Sequence, residues 1–365
     1  MHGQSKLNIL HLIYDHIHNP WLGGGGAIRA YEIYRRLSAR HKVTIVCGKY
    51  PGSGNYEEGN LNFHFVGTGM NNYPVSTFSF AFFANKYVKK HCNHYDAVIE
   101  DFAPWNPLFT STLKGSPVLQ IQNYLGKEIL RKYSILGVPF YLIEKYYPLK
   151  FRNTVVVNES LAARYRLFRS YTIGNGIGDD LLRSYVPFDG DYIGYMGRID
   201  IHQKGLDILS GALVNVAAKF KIAGDGRDRD KFLKILKGKG NAEWVGKVKG
   251  EEKRKFLSKA SFIVVPSRFE GQGIVVLEAA ACGKPVIVSD IPELRYAVDA
   301  GFGISFKAGD SADLAEKMRY LIQNPEQRKD MGLKARAYAG RFTWDAIAET
   351  YEAFLLNVIA GDKRV

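Results

Sequence analysis

Residues 262–290 read FIVVPSRFEGQGIVVLEAAACGKPVIVSD. Phe262–Val265 is a short, β-rich apolar run that stops at Pro266. Ser267–Gln272 reads as a loop, and Ile274–Ala281 has the pattern of a buried helix. Val286–Val288 is a second apolar run. Strand, helix and strand in that order form a βαβ unit. Strands that lack polar alternation are those of a parallel sheet covered on both faces. The stretch also carries two acids eight positions apart. Glu270 lies in the glycine-bounded loop, and Glu278 sits among Ile274, Val275, Val276, Leu277 and three alanines. A carboxylate in so apolar a setting needs a partner.

The same alternation runs along the whole chain. Before residue 182 the expected strands are Leu7–Tyr14, Val43–Cys47, Asn62–Val66, Ala97–Ile99, Val118–Gln122 and Thr154–Val157. After Gly190 they are Tyr192–Met196, Lys221–Ala223, Ala242–Val245, Phe262–Val265, Val286–Val288 and Gly303–Phe306. Helical patterns lie between them, among them Ala27–Ser38, Lys204–Ala218 and Ile274–Ala281. The fold class is therefore α/β, with doubly wound, Rossmann-like parallel sheets. The pattern restarts near Asp191 after the turn-like string VPFDGD, which puts a domain boundary at about residues 178–190. Two such domains are expected to face each other across a cleft at the carboxyl ends of their strands, where ligands of such sheets bind. The last segment, FTWDAIAETYEAFLLNVI, is an amphipathic helix with Thr343 as its expected N-cap.

Composition sets limits. The 365 residues are 46% hydrophobic, enough for two sizeable cores. No apolar run reaches the length of a membrane span. MHGQSKLNILHLIYDH lacks a small-residue cleavage site and reads as a first strand rather than a signal peptide. Cys47, Cys92 and Cys282 are too few and too scattered for a disulfide framework or a metal site, which fits a reducing cytoplasm. The net charge of +14 is spread along the chain. It favours anionic partners without choosing between nucleotides, phospholipid surfaces and nucleic acid. No nucleic-acid motif or concentrated basic patch supports the last of these.

Two further strings carry chemistry. NPWLGGGGAIRAYEIYRRL follows the first strand and opens a helix, so Gly24, Gly25 and Gly26 could bring backbone N–H groups to an anion. The string is neither a Walker A nor a GxGxxG motif. Alone, it suits a flexible surface loop as well as a phosphate cradle. In YMGRIDIHQKGLD, residues 195–207, Gly197 ends a strand and Gly205 begins a helix. Arg198 and Lys204 stand six apart between helix and strand. Two such cations suit a diphosphate, Arg as a fork and Lys as a point charge; alone, they equally suit a solvated surface. If the interval from Glu270 to Glu278 were helical it would span ~12 Å, the length scale of a nucleoside diphosphate joined to a small group.

Taken together and in order, GGGGA at 23–27, NGI at 175–177, GRIDIHQKGLD at 197–207, AGDG at 223–226, WVGKV at 244–248, the stretch from Pro266 to Asp290 and FTWD at 342–345 resemble the retaining GT-B glycosyltransferases of family 4, the glycosyl transferases group 1. The resemblance implies roles. Gly24–Gly26 would approach the diphosphate and sugar. Gly197, Arg198 and Lys204 would hold the leaving diphosphate, with Arg198, Lys204 and Glu270 as the catalytic set. Glu270 would contact sugar hydroxyls, and the backbone of Gly271, Gln272, Gly273 and Ile274 the phosphate or sugar. Glu278 would take the ribose hydroxyls, with the base near Lys247 and Val248. No metal or other cofactor is implied; the nucleoside diphosphate sugar is the co-substrate. The resemblance places an acceptor-binding domain at residues 1–182 plus 345–365 and a donor-binding domain at 183–344. The final helix would cross back to the first domain, with Trp344 near the hinge.

The sequence departs from the family in two places. Asn123 stands where many relatives carry His, and Glu100-Asp101 occupies another such place. Asn cannot transfer a proton at neutral pH. Asp101 is then a candidate for acceptor contact or proton uptake, or else a turn residue before Pro104. The segment 124–152 interleaves Lys127, Arg131, Lys132, Lys145, Lys150 and Arg152 with aromatic residues. That suits an anionic membrane surface, an acceptor cleft for a glycan or lipid-linked saccharide, or a core helix with a basic outer face. The expectation is a cytoplasmic retaining glycosyltransferase of the hexosyltransferase class, with peripheral attachment to the inner face of the membrane through 124–152. Its partners would be a nucleotide sugar donor and a sugar, glycan or lipid-linked acceptor, and no nucleic acid. A GT-B-fold nucleotide-sugar epimerase and an inactive nucleotide-sugar binding protein are the alternatives.

Overall fold

Apolar runs without alternation become parallel strands in both halves of the chain. The computed structural model describes residues 6–113, 117–167, 169–185 and 190–362. In the first half, strands β1 (Asn8–Ile13), β2 (Lys42–Gly48), β3 (Tyr56–Glu58), β4 (Leu61–Val66), β5 (Ala97–Asp101), β6 (Val118–Ile121), β7 (Asn153–Val156) and β8 (Ser170–Thr172) form one sheet. Its order is β3-β4-β2-β1-β5-β6-β7-β8. Every pairing is parallel except that of β3 with β4. In the second half, β9 (Tyr192–Met196), β10 (Phe220–Ala223), β11 (Ala242–Gly246), β12 (Ala260–Val265), β13 (Val286–Ser289) and β14 (Gly303–Phe306) form an all-parallel sheet ordered β11-β10-β9-β12-β13-β14. Both faces of this second sheet are covered by buried clusters, one around Val276, Leu277 and Val286, the other around Leu206, Phe232 and Met318.

The sheets belong to two compact units, Met1–Gly176 with Trp344–Val365, and Ile177–Thr343. The first boundary lies earlier than the expected 182/183. Ile177 pairs with Thr343, and both Ile177 and Leu181 are buried in a core cluster of the second unit. Trp344 belongs to the first unit instead of the second. A Cβ on Gly176 would lie 2.5 Å from its indole ring, so the bare glycine is what lets Trp344 pack there. Residues 186–189 of the expected turn lie outside the described residues.

Two strands were not expected, β3 and β8. Both are three-residue edge strands with little buried surface, so neither writes an apolar run into the sequence. The helix expected over Lys204–Ala218 is shorter, Leu206–Leu213. Gly205 at its N-cap has φ +62°, and a Cβ there would lie 1.9 Å from the Pro266 carbonyl oxygen. The left-handed glycine starts the helix late and lets it abut the end of β12.

The final helix, Trp344–Asp362, packs on the Gly25–Leu37 helix of the first unit. Arg36 reaches Asp345. Glu352 accepts from Arg40 Nε at 3.0 Å and lies 2.7 Å from His41 Nε2. The Tyr351 hydroxyl donates to Gln120 Oε1 at 3.0 Å. The Arg40 hydrogen bond holds the Glu352 carboxyl below its ordinary 4.5; burial opposes it, and His41 adds to the lowering. Unfolded, Glu352 takes its proton near 4.5; folded, only at lower pH. Its contribution is complete above that value and lost as pH falls through the folded one. Glu352→Gln should therefore flatten the acid limb of the stability–pH curve. Urea unfolding across acid pH checks this, and an unchanged slope contradicts it.

Candidate functional site

In the second sheet, connections from β9 run outward to β10 and β11. Those from β12 run the other way, to β13 and β14. The reversal lies between β9 and β12, and the crevice at the carboxyl ends of such a pair is where open α/β sheets bind ligands. The residues that follow these two strands are those the sequence singled out. Gly197 and Arg198 follow β9, and Glu270 stands in the loop after β12.

That loop is tied down from several sides. Lys204 Nζ lies 2.6 Å from Glu270 Oε1, and Ser267 Oγ donates to the same oxygen at 2.7 Å. Glu270 is buried and Lys204 is half-buried. Arg268 forks onto Asp207 at 2.8 and 2.7 Å and also donates to the His202 carbonyl at 3.0 Å. Partial burial pushes the Asp207 carboxyl up; the Arg268 bonds and charge outweigh it and leave the group below its ordinary value. The loop after β9 is shaped by Asp200, which accepts from Gln203 N at 2.9 Å and pairs with Arg227 at 2.9 Å. Arg198 is exposed, with a long 3.4 Å contact to Gln203 Oε1. One cation is thus held by a carboxylate, and the other is extended into solvent at the same strand end.

The Ile274–Ala281 helix starts as expected. Its N-cap is Gly273, at φ +71°, where a Cβ would lie 2.7 Å from Leu294. The Tyr296 hydroxyl donates to the Gln272 carbonyl at 3.1 Å and fixes the preceding loop. Gly271, Gln272 and Ile274 are half-buried. Glu278 falls in the second turn, and its partner is Lys253, 2.6 Å away on the Gly250–Ser258 helix. Burial works against the Lys253 charge, and the Glu278 carboxylate more than offsets it, raising Lys253 above its ordinary value. Lys247 is exposed and Val248 half-buried in the loop after β11. Glu270 to Gly273 is loop, as expected, so the helical rise applies only from Ile274 and the two acids are not separated by a full eight-residue helical span.

Sequence reasoning missed Lys253, Ser267 and the Arg268–Asp207 brace. KGEEKRKFL reads as a solvated helix face, so Lys253 gave no signal. The apolar surroundings of Glu278 were the available clue that a cation had to reach it.

The first sheet reverses between β1 and β5. After β1, Asp15 accepts from Gly23 N at 3.0 Å and Gly24 N at 2.9 Å. Burial pushes the Asp15 carboxyl up, opposed by these amides. The glycine loop is therefore not an open cradle throughout: the Gly24 N–H is committed to Asp15. Gly25 and Gly26 open the helix itself. Asp101 is the last residue of β5 rather than one beyond it. Its Oδ2 accepts from Gln120 at 2.7 Å and Gln122 at 2.9 Å, and His11 Nε2 lies 3.6 Å away. Asn123 is exposed just after β6. Glu100 is buried and structural. It accepts from Leu108 N, Thr110 Oγ1 and Tyr147 Oη at 2.6–2.9 Å, anchoring the loop that follows. Among the described residues, no group of three or more His, Cys, Asp or Glu side chains is gathered as a metal would need. None of the described helices is long and apolar enough to cross a membrane.

Residues 185–338 match the family model of glycosyl transferases group 1. A protein described as an uncharacterized glycosyltransferase of Methanocaldococcus jannaschii is 34% identical over 181 residues, 48% of this chain and 50% of that protein. The chain spans about half the length of that relative and smaller shares of the next two. Among solved structures, sucrose-phosphate synthase from Thermosynechococcus elongatus superposes with a TM-score of 0.82 at 19% identity, covering 97% of this chain and 100% of that one. Anabaena HepE in complex with UDP superposes at 0.72 with 16% identity, covering 96% and 100%. The likeness shows the GT-B fold, two Rossmann-like parallel sheets with flanking helices.

Lys253→Met leaves a partly buried carboxylate unpaired and should lower unfolding free energy by about 1–3 kcal/mol. Lys253→Arg should recover most of it. Urea unfolding of the three proteins checks this, and equal midpoints contradict it.

Proposed function

We propose, from the match of residues 185–338 to the glycosyl transferases group 1 model, that the chain is a retaining glycosyltransferase of family 4 and of the hexosyltransferase class. It moves a sugar from a nucleoside diphosphate sugar to an acceptor hydroxyl. The observation that carries this reading is the Lys204–Glu270 ion pair at the reversal between β9 and β12, with Arg198 extended beside it.

The chemistry follows from the charges. As the bond from the anomeric carbon to phosphate breaks, negative charge grows on the diphosphate, and Lys204 and Arg198 stabilise it where it develops. These two cations serve without a metal ion. The start of the Ile274–Ala281 helix turns its amides and positive dipole end to the same group. Glu270 keeps lone pairs for sugar hydroxyls while Lys204 and Ser267 hold Oε1. Glu278 does the same for ribose hydroxyls while Lys253 holds its Oε1. The backbone at Lys247 and Val248 meets the base. The reaction uses no covalent nucleophile from the protein, and the new bond forms on the face the phosphate leaves. The acceptor proton passes to the departing phosphate oxygen.

Asp101 and Asn123, at the ends of neighbouring strands of the first unit, contact the acceptor or the sugar, and Gly25 and Gly26 approach the donor. The acceptor class is a glycan or a lipid-linked saccharide. UDP in the HepE structure makes uridine donors the first to try.

A thermal-shift series with UDP-, GDP- and ADP-sugars should give stabilisation by at least one, because binding to the folded state adds stability by mass action. Lys204→Ala and Arg198→Ala should each lower transfer by about 10²–10³, the usual cost of losing a group aimed at developing charge. Transfer should persist in a chelator. Wild-type turnover in both variants would sink the assignment, and an epimer formed from donor alone would replace it with an isomerase.

A further inference from the structure

Segment 124–152 folds into a helix over Lys127–Tyr133, a 3₁₀ turn over Ser134–Gly137, a second helix over Val138–Tyr146 and a 3₁₀ turn over Pro148–Lys150. The polar pattern of the second helix is inverted. Val138, Leu142 and Tyr146 repeat every four residues and are all exposed, at 40%, 45% and 51%. Glu144, the acid of this helix, is instead buried, where it accepts from Leu125 N at 2.8 Å and Gly126 N at 2.6 Å. Exposed apolar residues also flank the helix in sequence at both ends. Leu149 is 46% exposed, and Ile135 and Leu136, at the turn, reach 79% and 77%. Scattered exposed leucines need no explanation, but exposed apolar residues gathered within one short segment do.

Cations lie in the same segment. Lys132, Lys145 and Lys150 are exposed. Lys132 Nζ stands 4.9 Å from the Tyr133 ring centre and Lys145 Nζ 5.1 Å from that of Tyr146. Charge is not balanced locally. The segment has two acids: Glu144 is buried, and Glu128 is paired with Arg131 at 2.7 Å. Exposed apolar side chains, with lysine ammoniums over two neighbouring tyrosine rings, make the arrangement of an interfacial anchor.

We propose that the face formed by Ile135, Leu136, Val138, Leu142, Tyr146 and Leu149 docks on an anionic lipid surface, with Lys132, Lys145 and Lys150 meeting the headgroups. Charge complementarity selects this occupant. Exposed apolar residues flanked by unbalanced cations fit a negatively charged interface, where each basic residue adds attraction. The surface goes beyond the transfer reaction and does not depend on it.

The test is co-sedimentation of the full chain with mixed phosphatidylglycerol–phosphatidylcholine vesicles and with pure phosphatidylcholine vesicles. The wild type should bind the anionic vesicles and lose binding as salt rises. Ile135→Asp with Leu136→Asp, and separately Lys132→Glu with Lys145→Glu, should each weaken binding by about tenfold or more. Thermal midpoint and nucleotide-dependent thermal shift should not change in either variant, since all four side chains are exposed. Leu136→Trp should give a blue-shifted indole emission on anionic vesicles, which separates insertion from simple adsorption. Failure to bind, equal binding to neutral vesicles, or unchanged binding by the variants overturns the proposal. So does self-association of the wild type, abolished by Ile135→Asp, without vesicle binding, because a second copy would then be the occupant.

Discussion

The constraint on which the second unit depends is the reversal of its sheet between β9 and β12. Parallel strands need crossover connections, and these pass over one face of the sheet or the other. Where the direction reverses, neighbouring strands send their chains away from each other and leave a crevice at their carboxyl ends. Lys204 arrives there from one strand and Glu270 from the other. Gly205 and Gly273, both left-handed, start the two helices that flank the crevice. Their missing Cβ atoms allow the close approach to Pro266 and Leu294. Ion pair, helix starts and loop braces are consequences of one topological event.

Electrostatics then sorts the charged groups into held and extended ones. Glu270 and Glu278 each have a lysine at 2.6 Å, so neither stands as an uncompensated charge among apolar side chains. A ligand with hydroxyls and a diphosphate would meet carboxylates already oriented by a lysine, rather than bare ions that had to be desolvated. The first unit has a similar economy. Asp15 answers two amides of the glycine loop, and Asp101 is fixed by two glutamines. Polar groups near the strand ends are positioned before any substrate arrives.

Much of this was legible in the residues. Strands such as Tyr192–Met196 and Gly303–Phe306 are long enough and apolar enough to mark themselves, and their ends agree with expectation to the residue. The Ile274–Ala281 helix announced itself by its apolar run. What stayed hidden was set by tertiary contact. β3 and β8 bury too little to show in a pattern. The boundary at 176/177 depends on Ile177 and Leu181 joining a distant core, and the short 206–213 helix on the carbonyl of Pro266. At the site, Glu270, Lys204 and Arg198 stood out by residue type and spacing. Lys253 did not, because a lysine on a charged helix looks solvated until its partner is known. The commitment of the Gly24 amide to Asp15 joins residues nine apart across a loop, which no periodicity reports.

The central claim is that the crevice between β9 and β12 holds the diphosphate of a nucleotide sugar. A crystal structure with a bound nucleoside diphosphate sugar tests it most directly. The account predicts phosphate oxygens within hydrogen-bond distance, about 3 Å, of Lys204 Nζ and the Arg198 guanidinium, with ribose hydroxyls on Glu278. A nucleotide bound elsewhere, with no phosphate at Lys204 or Arg198 and Glu278 facing only Lys253, would contradict it.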